Sequence, residues 1–243
     1  MLTVITGATG GIGRAVVKLL IKNDFSCVLI GRHEKELKSL KKAFPDGIKK
    51  YHVTDFSNLD NVIKTGKAIS KEFKTIDLLI NIAGIGIYKP IEEVTKKDWE
   101  DSFTVGNSAP YFLSQTLLPN LEKSDLSVII NIGSGMGEMP AAGRSVYCSM
   151  KFALRGQTLS LAEEFKHTKP RFVLLTLGSV LTSFGPLSFE EKKKEMESGK
   201  GYLTPESVAK KILEIIKDKD IKREYELYPS NYRDEWQTDK LEL

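Results

Sequence analysis

Short apolar, β-branched runs alternate with helically spaced segments along almost the whole chain, and no other feature narrows the possible folds as far. The runs are Leu2–Thr6, Ser26–Ile30, Ile48–Val53, Ile76–Ile82, Ser127–Ile132 and Arg171–Leu177, with a weaker one at Glu224–Tyr228. Between them lie the helical patterns Ile12–Lys22, Glu34–Ala43, Leu59–Phe73, Lys97–Leu121, Arg144–Phe165 and Pro205–Lys217. The last opens on Thr204-Pro205-Glu206, a capping hydroxyl, a proline at the first helical position and an acid in the first turn. Strictly alternating strands and helices imply parallel strands joined by right-handed crossovers. Leu78-Leu79-Ile80 and Val128-Ile129-Ile130 are apolar on successive residues, so both faces of these strands are expected to be covered. No Pro/Gly/Ser-rich linker and no longer repeat interrupts the alternation. The expectation is a single doubly wound α/β domain over residues 1–243. Leu181–Leu203, without clear periodicity and just past a strand end, is read as a lid over a ligand.

Composition removes other classes. No apolar run approaches the roughly 20 residues of a membrane helix, and Met1-Leu2-Thr3-Val4-Ile5-Thr6-Gly7 has no basic region before a cleavable apolar stretch. Two cysteines, Cys27 and Cys148, make neither a disulfide framework nor a zinc site, which points to the reducing cytoplasm. The formal net charge of +4 does not indicate nucleic acid, because acids are interleaved with the bases. The densest basic run, Lys192-Lys193-Lys194, is bracketed by Glu190, Glu191 and Glu195 and reads as a solvated helix face with a Glu190–Lys194 pair. His33, His52 and His167 stand apart from one another and from acid clusters, so no metal site is expected.

The first strand runs directly into Thr6-Gly7-Ala8-Thr9-Gly10-Gly11-Ile12-Gly13 and then a helix. Glycines in such a turn let the backbone approach a pyrophosphate, which the free N–H groups of the helix then bind; the bland alternative is a tight turn. Gly7, Gly11 and Gly13 fit one spacing, G-x-x-x-G-x-G, and Gly7, Gly10 and Gly13 fit another, G-x-x-G-x-x-G. The second strand ends at Gly31-Arg32. An acid here would bond a ribose 2′-hydroxyl, whereas Arg32 suits a 2′-phosphate, so NADP is favoured over NAD. The alternative is a solvated arginine opening the next helix.

Tyr147 and Lys151 are one turn apart on one face of the segment Arg144–Phe165. With 8 tyrosines and many lysines such a pair is common, and its surroundings carry the information. Ser134 precedes Tyr147 by thirteen residues and lies just past a strand, Asn107 lies in the preceding long helical segment, and Asn81-Ile82-Ala83-Gly84 ends the fourth strand. A carbonyl accepting hydride needs a proton on its oxygen. A nearby lysine cation is expected to lower the tyrosine pKa from about 10 toward neutrality, and Ser134 can donate to the developing charge.

In this order these residues resemble the short-chain dehydrogenase/reductase family over residues 4 to about 182. Asn107, Ser134, Tyr147 and Lys151 match its catalytic tetrad, Asn81-Ile82-Ala83-Gly84 its N-N-A-G strand end, and the Gly7/Gly11/Gly13 spacing its turn. The other glycine spacing resembles longer relatives acting on nucleotide sugars, whose added substrate domain does not fit in 243 residues. The resemblance implies a seven-stranded parallel sheet and an NADP-dependent enzyme interconverting a carbonyl and a secondary alcohol. It places cofactor contacts at Gly7, Thr9, Gly11, Ile12, Gly13, Arg32, Asp55, Asn81, Ala83, Gly84, Tyr147, Lys151 and Thr182. Lys151 would also bond the nicotinamide ribose, Asn107 would hold a water of a proton relay, and Asp55 would bond the adenine unless it caps the following helix. Thr182 ends Leu177-Gly178-Ser179-Val180-Leu181-Thr182, similar to the family's P-G-x-x-x-T, with Leu177 where proline is usual. A homodimer or homotetramer through Lys97–Leu121 and Arg144–Phe165 is the family expectation. A noncatalytic NADP-binding sensor is the rival from another class, disfavoured because it has no need of a poised tyrosine. Met136 and Met139 are candidates for the pocket wall, and Cys148, turned about 100° from Tyr147, is expected to pack. The substrate and the direction of reaction are left open.

Overall fold

Consecutive apolar residues in a strand can be buried together only beneath helices on both sides of the sheet. The computed structural model, which describes residues 1–229, meets that requirement; residues 230–243, the end of the expected domain, lie outside the described residues. Its strands are β1 (Leu2–Thr6), β2 (Ser26–Gly31), β3 (Ile48–Val53), β4 (Leu78–Asn81), β5 (Val128–Ile132), β6 (Arg171–Leu177) and β7 (Glu224–Leu227). They form one sheet in the order β3-β2-β1-β4-β5-β6-β7, and every pairing is parallel. The helices are α1 (Gly11–Lys22), α2 (Glu34–Ala43), α3 (Leu59–Glu72), α4 (Lys96–Phe103), α5 (Ala109–Leu121), α6 (Ser145–Glu164), α7 (Phe189–Glu197) and α8 (Pro205–Lys217).

Strand side chains alternate between two cores. Ile5, Leu78, Ile80, Val128 and Ile130 face Val16, Val17 and Leu20 of α1 and Val208, Ile212 and Ile215 of α8. Val4, Leu79 and Ile129 face Val62 and Ile69 of α3 and Leu113 and Leu117 of α5. Strand order reverses between β1 and β4, and the carboxyl ends of these strands open the crevice where folds of this kind take ligands.

The structure departs from the sequence reading in three elements. The segment Lys97–Leu121 is not one uniform helix: α4 and α5 are joined by a π-helical turn over Thr104–Ser108. The expected strand Ile76–Ile82 is shorter, because the N–H groups of Ile82 and Ala83 donate to Thr6 Oγ1 at 3.0 and 3.1 Å and the chain turns there. The stretch Leu181–Leu203 contains α7. Its N-terminus is a capping box in which Ser188 accepts from Glu191 N at 3.3 Å while Glu191 accepts from Ser188 N at 2.8 Å. Glu190 meets Lys193 at 3.4 Å rather than Lys194, and Lys192, read as solvated, is buried. No helix among the described residues is long and apolar enough to cross a membrane.

Candidate active site

The glycine turn sits where β1 ends against β4, and steric detail selects between its two spacings. Gly7 has φ +64°, and a Cβ on Gly11 would lie 2.6 Å from Thr182 Cγ2, whereas one on Gly10 would only touch Gly7 O at 3.4 Å. Close approach is therefore demanded at Gly7 and Gly11, with Gly13 pressed against the turn itself, in agreement with G-x-x-x-G-x-G. Arg14 braces the turn: its Nε donates to Thr9 O at 2.8 Å and its guanidinium pairs with Glu36 at 2.9 Å.

From this turn a cleft of about 920 Å³ runs over the strand ends. Gly7, Thr9, Gly11, Ile12, Gly13, Arg32, Asp55, Ala83, Gly84, Ser134, Tyr147, Lys151 and Thr182 all line it, together with Met136 and Met139. A volume of this order accommodates an extended dinucleotide with a small molecule beside it. Arg32 lies at the far end with its Nε 3.2 Å from His33 Nε2 and no carboxylate paired to it among the described residues. Asp55 Oδ1 accepts from Ser57 N at 3.0 Å and Ser57 Oγ at 2.9 Å, and these bonds hold its carboxyl below the usual range. Asp55 is not the cap of α3; that role belongs to Asn58, which accepts from Asn61 N. Leu177 continues β6 opposite Leu227, and Gly178 N donates to Leu227 O at 2.9 Å. Strand pairing thus fixes the loop that proline would otherwise stiffen.

At the near end the chemistry converges. The Tyr147 hydroxyl sits beside those of Ser134 and Tyr88, and the rings of Tyr88 and Phe184 flank its own at centroid distances of 5.3 and 6.1 Å. Lys151 Nζ lies 5.8 Å from the Tyr147 ring centroid and donates to Ile132 O at 2.8 Å. The expected lowering of the tyrosine pKa is not what this geometry gives. Burial pushes the phenol up to about 12, against smaller downward pulls from Ser134 and Tyr88, and the same burial brings Lys151 down to about 8. The lysine charge is turned onto a carbonyl, and desolvation of the phenolate outweighs everything else.

Two expected contacts stand behind the cleft. Asn81 does not line it: Asn81 Nδ2 donates to Asn131 Oδ1 at 2.8 Å, whose own amide donates to Thr158 Oγ1 at 2.9 Å, tying β4 to β5 and α6. Asn107 lies on the π turn, outside the lining, and its carbonyl accepts from Gln157 Nε2 at 3.4 Å. Cys148 is buried with its Sγ 3.9 Å from Met139 O, so it packs. No group of three metal-ligating side chains occurs among the described residues. Sequence reasoning missed Tyr88, Arg144, Phe184 and Lys192. All four line the cleft from loops, from the residue before α6 or from α7.

A family model described as short chain dehydrogenase matches residues 2–193. The NADP-dependent 3-hydroxy acid dehydrogenase YdfG of Salmonella typhi is 27% identical over 219 residues, covering 87% of this chain and 87% of that protein. An uncharacterized oxidoreductase of Staphylococcus epidermidis is 31% identical over 194 residues, covering 79% of this chain and 83% of its own length. A solved structure of serine dehydrogenase complexed with NADP+, in its closed form, is 26% identical with a TM-score of 0.82, covering 93% of this chain and 94% of that one.

Proposed function

The chain belongs to the short-chain dehydrogenase/reductase family, and within it we propose an NADP-dependent oxidoreductase that interconverts a carbonyl and a secondary alcohol. The observation that carries this reading is the placing of Ser134, Tyr147 and Lys151 together at the strand ends, in one cleft with the glycine turn. The residues fit the cofactor. The turn leaves no room for side chains at Gly7, against the Ala83 backbone, or at Gly11, against Thr182, the start of α1 offers free N–H groups, and Arg32 offers a guanidinium that no carboxylate among the described residues pairs with. NADP-dependent relatives and the NADP-bound neighbour support the same cofactor.

Bound NADPH would supply the hydride. Tyr147, which holds its proton far above neutral pH, is suited to give that proton to the substrate oxygen. Ser134 can donate a hydrogen bond to the same oxygen as charge builds on it. Lys151, still largely protonated near pH 7, steadies the phenolate left behind. Asn81 acts on the site through Asn131, and Asn107 through the packing of the π turn on α6. The segment Leu181–Leu203 serves as the lid, pinned by Lys192 Nζ, which donates to Thr182 O at 2.7 Å and to Phe184 O. Neither the nucleotide-sugar reading nor the sensor reading is favoured by relatives named as dehydrogenases.

The test is NADPH and NADH oxidation at 340 nm across ketones, aldehydes and acyl thioesters. Tyr147→Phe is expected to lose at least about 1,000-fold in kcat while still binding NADPH. Arg32→Asp should lower the preference for NADPH over NADH by about 10- to 100-fold. Turnover that survives Tyr147→Phe would sink the mechanism.

A further inference from the structure

Among the described residues two arginines line the cleft, one at each end. Arg32 marks the end assigned above to the 2′-phosphate. Arg144, half-buried, immediately precedes α6 and lies three residues before Tyr147. Its guanidinium carbon is 5.4 Å from the centroid of the Tyr88 ring, and that ring in turn lies against the Tyr147 ring at 5.3 Å between centroids. Among the described residues, no carboxylate pairs with Arg144 and no acceptor takes its protons.

The other cations at this end of the cleft are committed. Lys151 donates to Ile132 O, Lys192 to the carbonyls of Thr182 and Phe184, and Lys200 pairs with Glu195 at 2.8 Å. Among the described residues the only acids that line the cleft are Glu36 and Asp55, both at the adenosine end and both partnered, with Arg14 and Ser57 respectively. The described residues of the reacting end therefore carry positive charge, with Arg144 as their one unused set of donors.

We infer that Arg144 anchors a substrate carboxylate, so that the substrate is a short oxo acid or the corresponding hydroxy acid. The inference rests on the oxidoreductase reading above and adds a substrate class to it. A guanidinium lying over an aromatic ring keeps its planar fork free for a bidentate acceptor, and a carboxylate fits that fork. Tyr88 links anchor to proton donor: one ring supports the guanidinium and packs against Tyr147, so a carboxylate held by Arg144 sits only a few bonds from the carbonyl. The phosphate of a carrier-bound thioester is excluded by the same shortness, because a long pantetheine arm separates it from the reacting carbon.

The test uses 3-oxobutanoate and its methyl ester, which differ by the charge and one methyl group. The wild-type protein should prefer the acid in kcat/KM with NADPH. Arg144→Gln should reduce the acid-to-ester ratio by about 10- to 100-fold, and Arg144→Lys should fall between, keeping charge without the fork. A cofactor titration of each variant reports whether it is folded. A second arm needs no turnover: 3-oxobutanoate is titrated into the protein saturated with NADP+, and Arg144→Gln should weaken its binding by a similar factor. An unchanged ratio with unchanged ternary binding overturns the inference. Ester reduced as well as acid by the wild-type protein overturns it too while leaving the oxidoreductase reading intact. Acid bound through Arg144 with neither compound reduced supports the carboxylate site and counts against the reaction.

Discussion

Lys151 carries its charge in a fully enclosed place, held by a carbonyl at 2.8 Å rather than by an acid. Desolvation brings its pKa from 10.5 down to about 8, so between these values the unfolded chain binds more protons than the folded one, and stability must rise with pH across that window. Lys151→Met removes this dependence. From pH 7 to pH 10 the stability of the parent should gain about 2 kcal/mol on that variant, measured by urea unfolding at each pH. A constant difference would show that the lysine is not desolvated as described. At this scale the sequence was legible wherever function is written in local spacing. Ser134, Tyr147 and Lys151 lie within one strand-loop-helix unit, and Gly7, Gly11 and Gly13 within one turn. Arg144 and Tyr88 were not legible, because an arginine and a tyrosine in loops carry no period, and only the folded chain lays one against the other.

The π turn between α4 and α5 is the element that sequence periodicity overlooked. One extra residue in a helical turn leaves the apolar pattern on either side intact, so Lys97–Leu121 reads as continuous. Its neighbour α6 comes so close that a Cβ on Gly106 would lie 2.3 Å from Met150 Sδ and 2.8 Å from Met150 Cγ. Met150 is wholly buried and adjoins Lys151, so it has nowhere to retreat. Gly106→Ala should cost about 1–3 kcal/mol in chemical denaturation, and adding Met150→Ala should recover part of the loss although each change alone destabilises. Additive losses would mean that the contact is not the cause. The helix α7 was missed for the opposite reason: it has no apolar stripe, and its only sequence signal is the Ser188/Glu191 box. Leu181–Leu203, read as a lid without clear periodicity, thus contains one regular element, α7.

Alternation of strand and helix, with successive apolar residues in the central strands, sufficed to anticipate parallel strands covered on both faces, and the family resemblance supplied their number, seven. Association of copies is a separate matter. Trp99, Tyr111 and Phe152 remain exposed on α4, α5 and α6, the elements that carry the family's expectation of a dimer or tetramer. Trp99→Glu combined with Phe152→Glu should lower the mass found by light scattering to that of one chain. An unchanged mass would place any association elsewhere on the surface.

The packing of α1 against α8 also governs how the chain comes into being. Val16, Val17 and Leu20 are made almost two hundred residues before Val208, Ile212 and Ile215, which cover them. At ribosomal speeds of about 5–20 residues per second, that face waits on the order of 10–40 s for its partner. The newborn chain therefore presents a greasy stripe to the cell throughout that interval. Its yield should depend on the holding chaperones that meet it at the ribosome more than on the strength of the finished fold.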